Sequence, residues 1–168
     1  DYSVLPELAA YPARLNAAVE LLDNKVADGF ANKPVLYWRD EVWTYGDLLT
    51  RANRIAGVLV DELGLIPGNR VLLRSANHPM LIAAWFAVLK AGGVAISTMP
   101  VLRERELVYM IGKAKVRFAI SDIALADDIE AAKRSAPDLE RIVYFGGGTD
   151  DGIESLMASR PATFANVD

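Results

Sequence analysis

Cysteine is absent from the sequence, which excludes disulfides and thiolate zinc sites outright. Histidine is almost absent too: the single His78 cannot build a multi-histidine metal centre. Basic residues are not in excess, since the net charge is −4, so nothing points to a nucleic-acid partner. No GxxxxGK[ST] loop occurs, so no Walker-type phosphate site is expected. Unbroken apolar runs long enough for a bilayer are also missing. The longest, Met80 to Ile96, carries only Lys90 as a charge, but Ala91-Gly92-Gly93 interrupts it. A spanning helix needs about 20 apolar residues. A buried helix, a glycine stop and a buried strand explain the run, and no membrane partner is expected. Asp1-Tyr2-Ser3-Val4-Leu5-Pro6 has neither an initiator methionine nor a basic segment before an apolar one, and does not read as a signal peptide. A cytoplasmic protein is the simplest reading.

What is present is a sequence rich enough in apolar residues, 52% of 168, to build one compact core. Leu15, Ala18, Val19, Leu22 and Val26 recur at helical spacing, which predicts an amphipathic helix over Pro12 to Ala27. Val35-Leu36-Tyr37-Trp38 and Glu41-Val42-Trp43-Thr44, joined by Arg39-Asp40, predict a β-hairpin. Thr44-Tyr45-Gly46-Asp47 reads as a helix start, with Asp47 in the place where a capping box usually has Glu or Gln. Leu48, Ala52, Ile55, Ala56 and Leu59 line one face of that helix, which ends near Gly64 before a Pro67-Gly68 turn.

Strands are then expected at Arg70 to Arg74, Val94 to Thr98, Val116 to Ser121 and Arg141 to Phe145. Helices are expected between them at Pro79 to Lys90, Arg103 to Lys113 and Ala124 to Arg134. This alternation predicts an α/β fold: an open, mainly parallel sheet flanked by helices, preceded by the leading helix and hairpin. Val71-Leu72-Leu73 and Val94-Ala95-Ile96 are apolar on both faces, as strands buried between helix layers require. The expected organisation is a leading helix region at 1–30, hairpin plus βα repeats at 31–145, and a loop and truncated tail at 146–168. A short helix at Ile153 to Ala158 is the last periodic element, and the remainder reads as a linker.

The individual motifs are weak carriers of chemistry. Gly146, Gly148 and Gly152 imitate a dinucleotide loop, but the helix that follows is short and no strand ending in an acid comes after it, so a surface turn is expected. His78, between Asn77 and Pro79, lies where open sheets bind ligands, yet it works equally as punctuation before a helix. Trp38, Trp43 and Trp85 are expected in packing roles. Arg103-Glu104-Arg105-Glu106 reads as a solvated helix start, with a phosphate contact as its functional alternative. The residues taken singly give an α/β domain without an evident active site.

Their order says more. Trp43-Thr44-Tyr45-Gly46-Asp47-Leu48, followed by Arg51-Ala52-Asn53-Arg54-Ile55-Ala56 and Leu59, resembles the "(W/L)TYxEL…aNrlA..L" segment of adenylate-forming enzymes: acyl- and aryl-CoA synthetases, luciferases and peptide-synthetase adenylation domains. Gly68-Asn69-Arg70-Val71 resembles their "GDRV" turn, with Asn69 replacing the usual acid. Asn77-His78-Pro79, then Ala84 to Ala87 and Lys90-Ala91-Gly92-Gly93-Val94, is similar to "N.pe...a.lAvlkAGgV". The likeness extends from about Ala31 to Tyr144. Arg103-Glu104-Arg105-Glu106-Leu107 looks like the "RxREL" of the benzoate- and 2-aminobenzoate-CoA ligases.

This resemblance implies the N-terminal part of a large AMP-binding domain in an ATP-dependent acid–CoA ligase, with a small-molecule carboxylic acid as substrate. ATP, Mg²⁺ and coenzyme A would serve the longer parent, and none is expected to bind this stretch tightly. The family's Ser/Thr-Gly-rich loop ending in Pro-Lys, its ribose-binding aspartate and its late lysine all fall after the region seen here. Gly146-Gly147-Gly148-Thr149 is not that loop, for it has no Pro-Lys. No catalytic residue is therefore assigned. Arg103 is the one cofactor-site candidate, for a phosphate of coenzyme A, because in some relatives the region after the Met99-Pro100 position approaches that ligand's nucleotide end. A scaffold role is expected, inactive alone, with the rest of its own chain as partner and with self-association through surface left open. Two alternatives stand beside it: a flavodoxin-like nucleotide-binding module, which would bind a nucleotide unaided, and a non-catalytic structural partner, which would co-purify with a second chain.

Overall fold

A computed structural model describes residues 11–167. The chain folds as a hairpin, β1 (Pro34–Trp38) and β2 (Glu41–Thr44), followed by α1 (Tyr45–Gly57), β3 (Arg70–Arg74), α2 (Pro79–Lys90) and β4 (Val94–Thr98). Then come α3 (Glu104–Ala114), β5 (Val116–Asp122), α4 (Ala126–Ser135), β6 (Arg141–Phe145) and α5 (Ile153–Ala158). The four strands β3 to β6 form one sheet in the order β4-β3-β5-β6, and every pairing in it is parallel.

The period-2 geometry of strands sorts the apolar residues into two cores. Val71, Leu73, Phe118, Ile120, Val143 and Phe145 face α1, α2 and α5, while Leu72, Ala119, Ile142 and Tyr144 face α3 and α4. The apolar character of β3 on both faces follows directly, since Val71, Leu72 and Leu73 are all fully buried. In β4 the expectation holds less well. This strand lies at the sheet's edge, Val94 is exposed, and Ala95 and Ile96 are half-buried, because no further strand covers it.

The leading helix begins later than the periodicity suggested, at residue 17, and runs to 30. Asn16 sets the start: its Oδ1 accepts from Ala18 N–H at 2.9 Å, the geometry of a cap. Its turns are wide, with Asn24 N–H reaching Val19 O, and it closes at Gly29, whose φ is 88°. Of the proposed inward residues Ala18 and Leu22 are buried, whereas Leu15 is exposed ahead of the helix. The helix expected from Ala124 starts at Ala126, after a tight turn at Ile123–Leu125 in which Asp122 Oδ1 accepts from Ala124 N–H. The helix expected to end near Gly64 is α1 continued by wide turns over Val58–Glu62, and the other elements match their expected spans to within a residue or two. Among the described residues no helix is long and apolar enough to cross a membrane.

The segment after α5 is irregular yet fastened to the domain. Arg160 pairs with Asp61 and Glu62, and Asn53 Nδ2 donates to Ala162 O at 2.7 Å. Phe164 packs on the larger core, and Val167 N–H donates to Lys90 O at 2.9 Å. This strap lies across α1 and the C-terminal end of α2.

Candidate functional site

In an open parallel sheet the carboxyl ends of the strands are where loops converge and ligands bind. Here that edge carries Arg74 at the end of β3, the loop from Met99 to Leu102 after β4, and His78 ahead of α2. Arg74 is the least expected of them. A strand of Val71-Leu72-Leu73 continues its burial into a guanidinium that is fully inaccessible. Its Nη1 donates to Met99 O at 3.2 Å, and its Nη2 to Pro100 O at 3.2 Å and Leu102 O at 2.8 Å. Asp128, on α4, lies 3.8 Å from the same Nη2. Burial lowers the pKa of Arg74, and the Asp128 carboxylate opposes that shift. Guanidinium stays charged in proteins, so the loop carbonyls and Asp128 together solvate a buried cation.

Arg103 stands at the start of α3, where its backbone N–H donates to Glu106 Oε2 at 3.1 Å. Its side chain is 76% exposed and pairs with Asp128 at 2.9 Å. One Asp128 oxygen thus lies between two guanidiniums, one buried and one open. Arg105 and Glu104 line the same shallow surface with Val108 and Ser135. The Arg-Glu-Arg-Glu run is a solvated helix start as its composition suggested, with the Arg103 side chain exposed.

His78 takes the structural role. It caps α2, its Nδ1 accepting from Met80 N–H at 3.0 Å, with Pro79 at the first helical position. The ring packs between Trp38, 4.2 Å away, and Phe145, 5.0 Å away. Burial lowers its pKa, opposed by Asp122, Glu41 and Glu154 and assisted by Arg39. A pocket of about 190 Å³ opens beside it, lined by Leu36, Trp38, Asn77, Pro79 and Ile82. Trp43 is buried, and Trp85 packs edge-on against Phe86 at 5.1 Å.

Lys90 was visible in the sequence only as the one charge in an apolar run. It is fully buried, and both oxygens of Asp23 accept from its ammonium, one at 2.6 Å. Burial lowers its pKa and Asp23 opposes that. Asn166 Nδ2 adds a bond to Asp23 at 3.1 Å, and Asn16 Nδ2 donates to both Leu89 O and Val167 O. This cluster joins the leading helix, α2 and the strap.

Gly146 and Gly148 adopt positive φ in an exposed turn, and Gly146 N–H is taken by Glu154, as befits a turn. Among the described residues no group of three or more His, Cys, Asp or Glu side chains is placed to hold a metal ion.

This arrangement, a parallel sheet carrying the ordered motifs but no phosphate loop, matches one family throughout. The sequence profile of the AMP-binding enzyme family covers residues 24–161. The chain belongs to that family. A benzoate–CoA ligase of Thauera aromatica is 29% identical over 164 residues, which is 98% of this chain and 31% of that protein. A benzoate CoA ligase from Burkholderia xenovorans LB400 superposes with a TM-score of 0.79 at 27% identity, over 90% of this chain and 30% of that one. An anthranilate CoA ligase solved with anthranoyl-AMP has a TM-score of 0.86 at 24% identity, over 95% of this chain and 30% of the other, and shows the likeness of fold. The chain spans about a third of the length of such relatives, which are acid–CoA ligases.

The family's Thr-Tyr segment is the hairpin-to-α1 corner, and its Ala-Gly-Gly segment is the turn from α2 into β4. Neither brings a reactive group to the sheet's carboxyl edge. Sequence reasoning missed Arg74 and Asp128. The available signal was a charged residue directly continuing a wholly apolar strand, which cannot be on the surface if the strand is central.

Proposed function

We propose that this chain forms the N-terminal part of the large domain of an ATP-dependent aryl-CoA ligase, and that its role there is scaffold. The parent joins a carboxylate to the α-phosphate of ATP, releasing pyrophosphate, and the thiol sulfur of coenzyme A then displaces AMP from the acyl-adenylate. Benzoate or 2-aminobenzoate is the acid this reading favours. The observation that carries it is the match of 98% of this chain to part of a benzoate–CoA ligase, supported by the Arg103-to-Leu107 run. Charge on the transferred phosphate must be stabilised by groups aimed at it. Those groups, with the Mg²⁺ they hold, belong to the parent beyond these residues, in the cytoplasm.

Arg103 is the one side chain proposed to touch a substrate, a phosphate of coenzyme A, because it is exposed, positively charged and oriented by Asp128. Tyr37, Ile66, Met99, Val101 and Tyr109 are exposed apolar residues, so the isolated chain is expected to self-associate in sedimentation. The deciding assay is pyrophosphate release by the longer parent with benzoate, 2-aminobenzoate and a long-chain fatty acid. Turnover of an aromatic acid is expected, and none by these 168 residues alone. A preference for the fatty acid would sink the aryl assignment, and pyrophosphate release by the isolated chain would sink the scaffold role.

A further inference from the structure

The surface that displays Arg103 is held by a residue that never reaches solvent. We infer that Arg74 is a positioning residue for coenzyme A, acting through the Met99-to-Leu102 loop and through Asp128 on the orientation of Arg103. The inference rests on the coenzyme A contact proposed above for Arg103.

The loop has little of its own to fix it. Pro100 has no N–H to donate, and the one backbone bond closing the turn runs from Leu102 N–H to Met99 O at 3.2 Å. Met99 and Val101 project into solvent, and side-chain burial holds the loop only at its end, where Leu102 is partly buried against the smaller core. What converges on it is the Arg74 fork, with Met99 O, Pro100 O and Leu102 O all accepting from one planar guanidinium. Arg103 follows Leu102 directly, so the last of those bonds sets where the backbone enters α3.

The same guanidinium acts by a second route. Asp128 Oδ2 is 3.8 Å from Arg74 and 2.9 Å from Arg103, and the carboxylate is only 24% exposed. Arg74 therefore holds the acid that orients Arg103. When an anionic ligand draws Arg103 away, Asp128 still faces a cation and is not left unpaired. The charged side chains around this surface are Arg74, Arg103 and Arg105 against Glu104, Glu106 and Asp128, so the charges balance and it is the exposure of the Arg103 guanidinium, not a net positive patch, that suits a phosphate. Lysine cannot replace the fork, since an ammonium lacks the fixed planar donors that span three carbonyls.

The test is a double-mutant cycle in the longer parent enzyme, measuring KM for coenzyme A beside ATP–pyrophosphate exchange, which does not require coenzyme A. Arg74→Lys is expected to raise KM for coenzyme A by about tenfold, well beyond any change in exchange. In an Arg103→Ala background the same substitution is expected to change that KM less than about twofold. Should Arg74→Lys fail to fold, Asp128→Asn enters the cycle in its place, with a change in KM expected only while Arg103 is present. An unchanged KM, or an equal change in both backgrounds, overturns the inference while leaving the ligase assignment standing. Absence of exchange in the wild-type parent overturns the ligase assignment and this inference with it.

Discussion

Arg74 and Lys90 bury a positive charge in two different ways. The guanidinium spreads its donors over three loop carbonyls, whereas the ammonium concentrates on one carboxylate, Asp23. The difference follows from a planar fork against a compact point charge. His78 is half-buried, and its bond fixes its protonation state. Nδ1 must be unprotonated to accept from Met80 N–H, so the ring is neutral with its proton on Nε2. Burial keeps its pKa below the ordinary 6.5, so the unfolded chain binds more protons as the pH falls through that value. Stability is fully present above about pH 6.5 and is lost as the pH falls toward the lower folded pKa. Urea unfolding at pH 7.5 and 5.5 should show this loss, and His78→Asn, which can still cap, should abolish most of it. His78→Ala should cost about 1–2 kcal/mol at pH 7.5 through loss of cap and ring packing.

At the scale of elements, α1 is fastened by a reciprocal cap. Asp47 N–H donates to Thr44 Oγ1 at 3.1 Å, and Thr44 N–H donates to Asp47 Oδ2 at 3.0 Å. Aspartate thus completes a capping box in which Glu or Gln is usual, because the Thr44 hydroxyl also donates to the shorter acid, at 2.7 Å. These bonds, backbone first, hold the Asp47 pKa below the usual carboxylate range, with Arg51 adding to the shift. The stability they bring is present above about pH 3.9 and lost as the pH falls through the folded pKa. Thr44→Ala is expected to cost about 1 kcal/mol in urea denaturation at neutral pH, and less at pH 3. A cost that did not shrink on acidification would mean the carboxylate takes no part.

Across the whole molecule, the strap after α5 ties the two ends of the described chain to the centre. Gly92 carries the closest approach: its φ is 71°, and a Cβ there would lie 2.8 Å from Val167 Cγ1 and 3.3 Å from Pro67 Cβ. Gly92→Ala is therefore expected to lower stability by about 1–3 kcal/mol in thermal unfolding. Adding Val167→Ala should recover the part due to contact and leave the part due to the left-handed backbone. If the second substitution recovers nothing, the strap does not press on Gly92 in solution. The Lys90–Asp23 pair below it also receives Asn166, so α2, the leading helix and the strap form one unit.

The sequence alone determined the order of strands and helices, since apolar periodicities of two and of three to four are set by backbone geometry. It also determined the family, through motifs whose order is local information. The cap at Thr44, the turn at Gly146 and the helix-entry role of His78 were legible for the same reason: each is decided by neighbours in the chain. Tertiary structure decided what depends on distant neighbours. Val94-Ala95-Ile96 has the composition of a central strand but lies at an edge, because strand order is set by crossovers and not by composition. The leading helix begins at Ala17 because the Asn16 side chain is engaged by Ala18, Leu89 and Val167, two of them far along the chain. Arg74 and Asp128 are 54 positions apart, and only the parallel β3–β5 pairing and the packing of α4 on α3 bring them to one loop. A buried charge is tolerable only where distant groups solvate it, and that condition is invisible until the chain is folded.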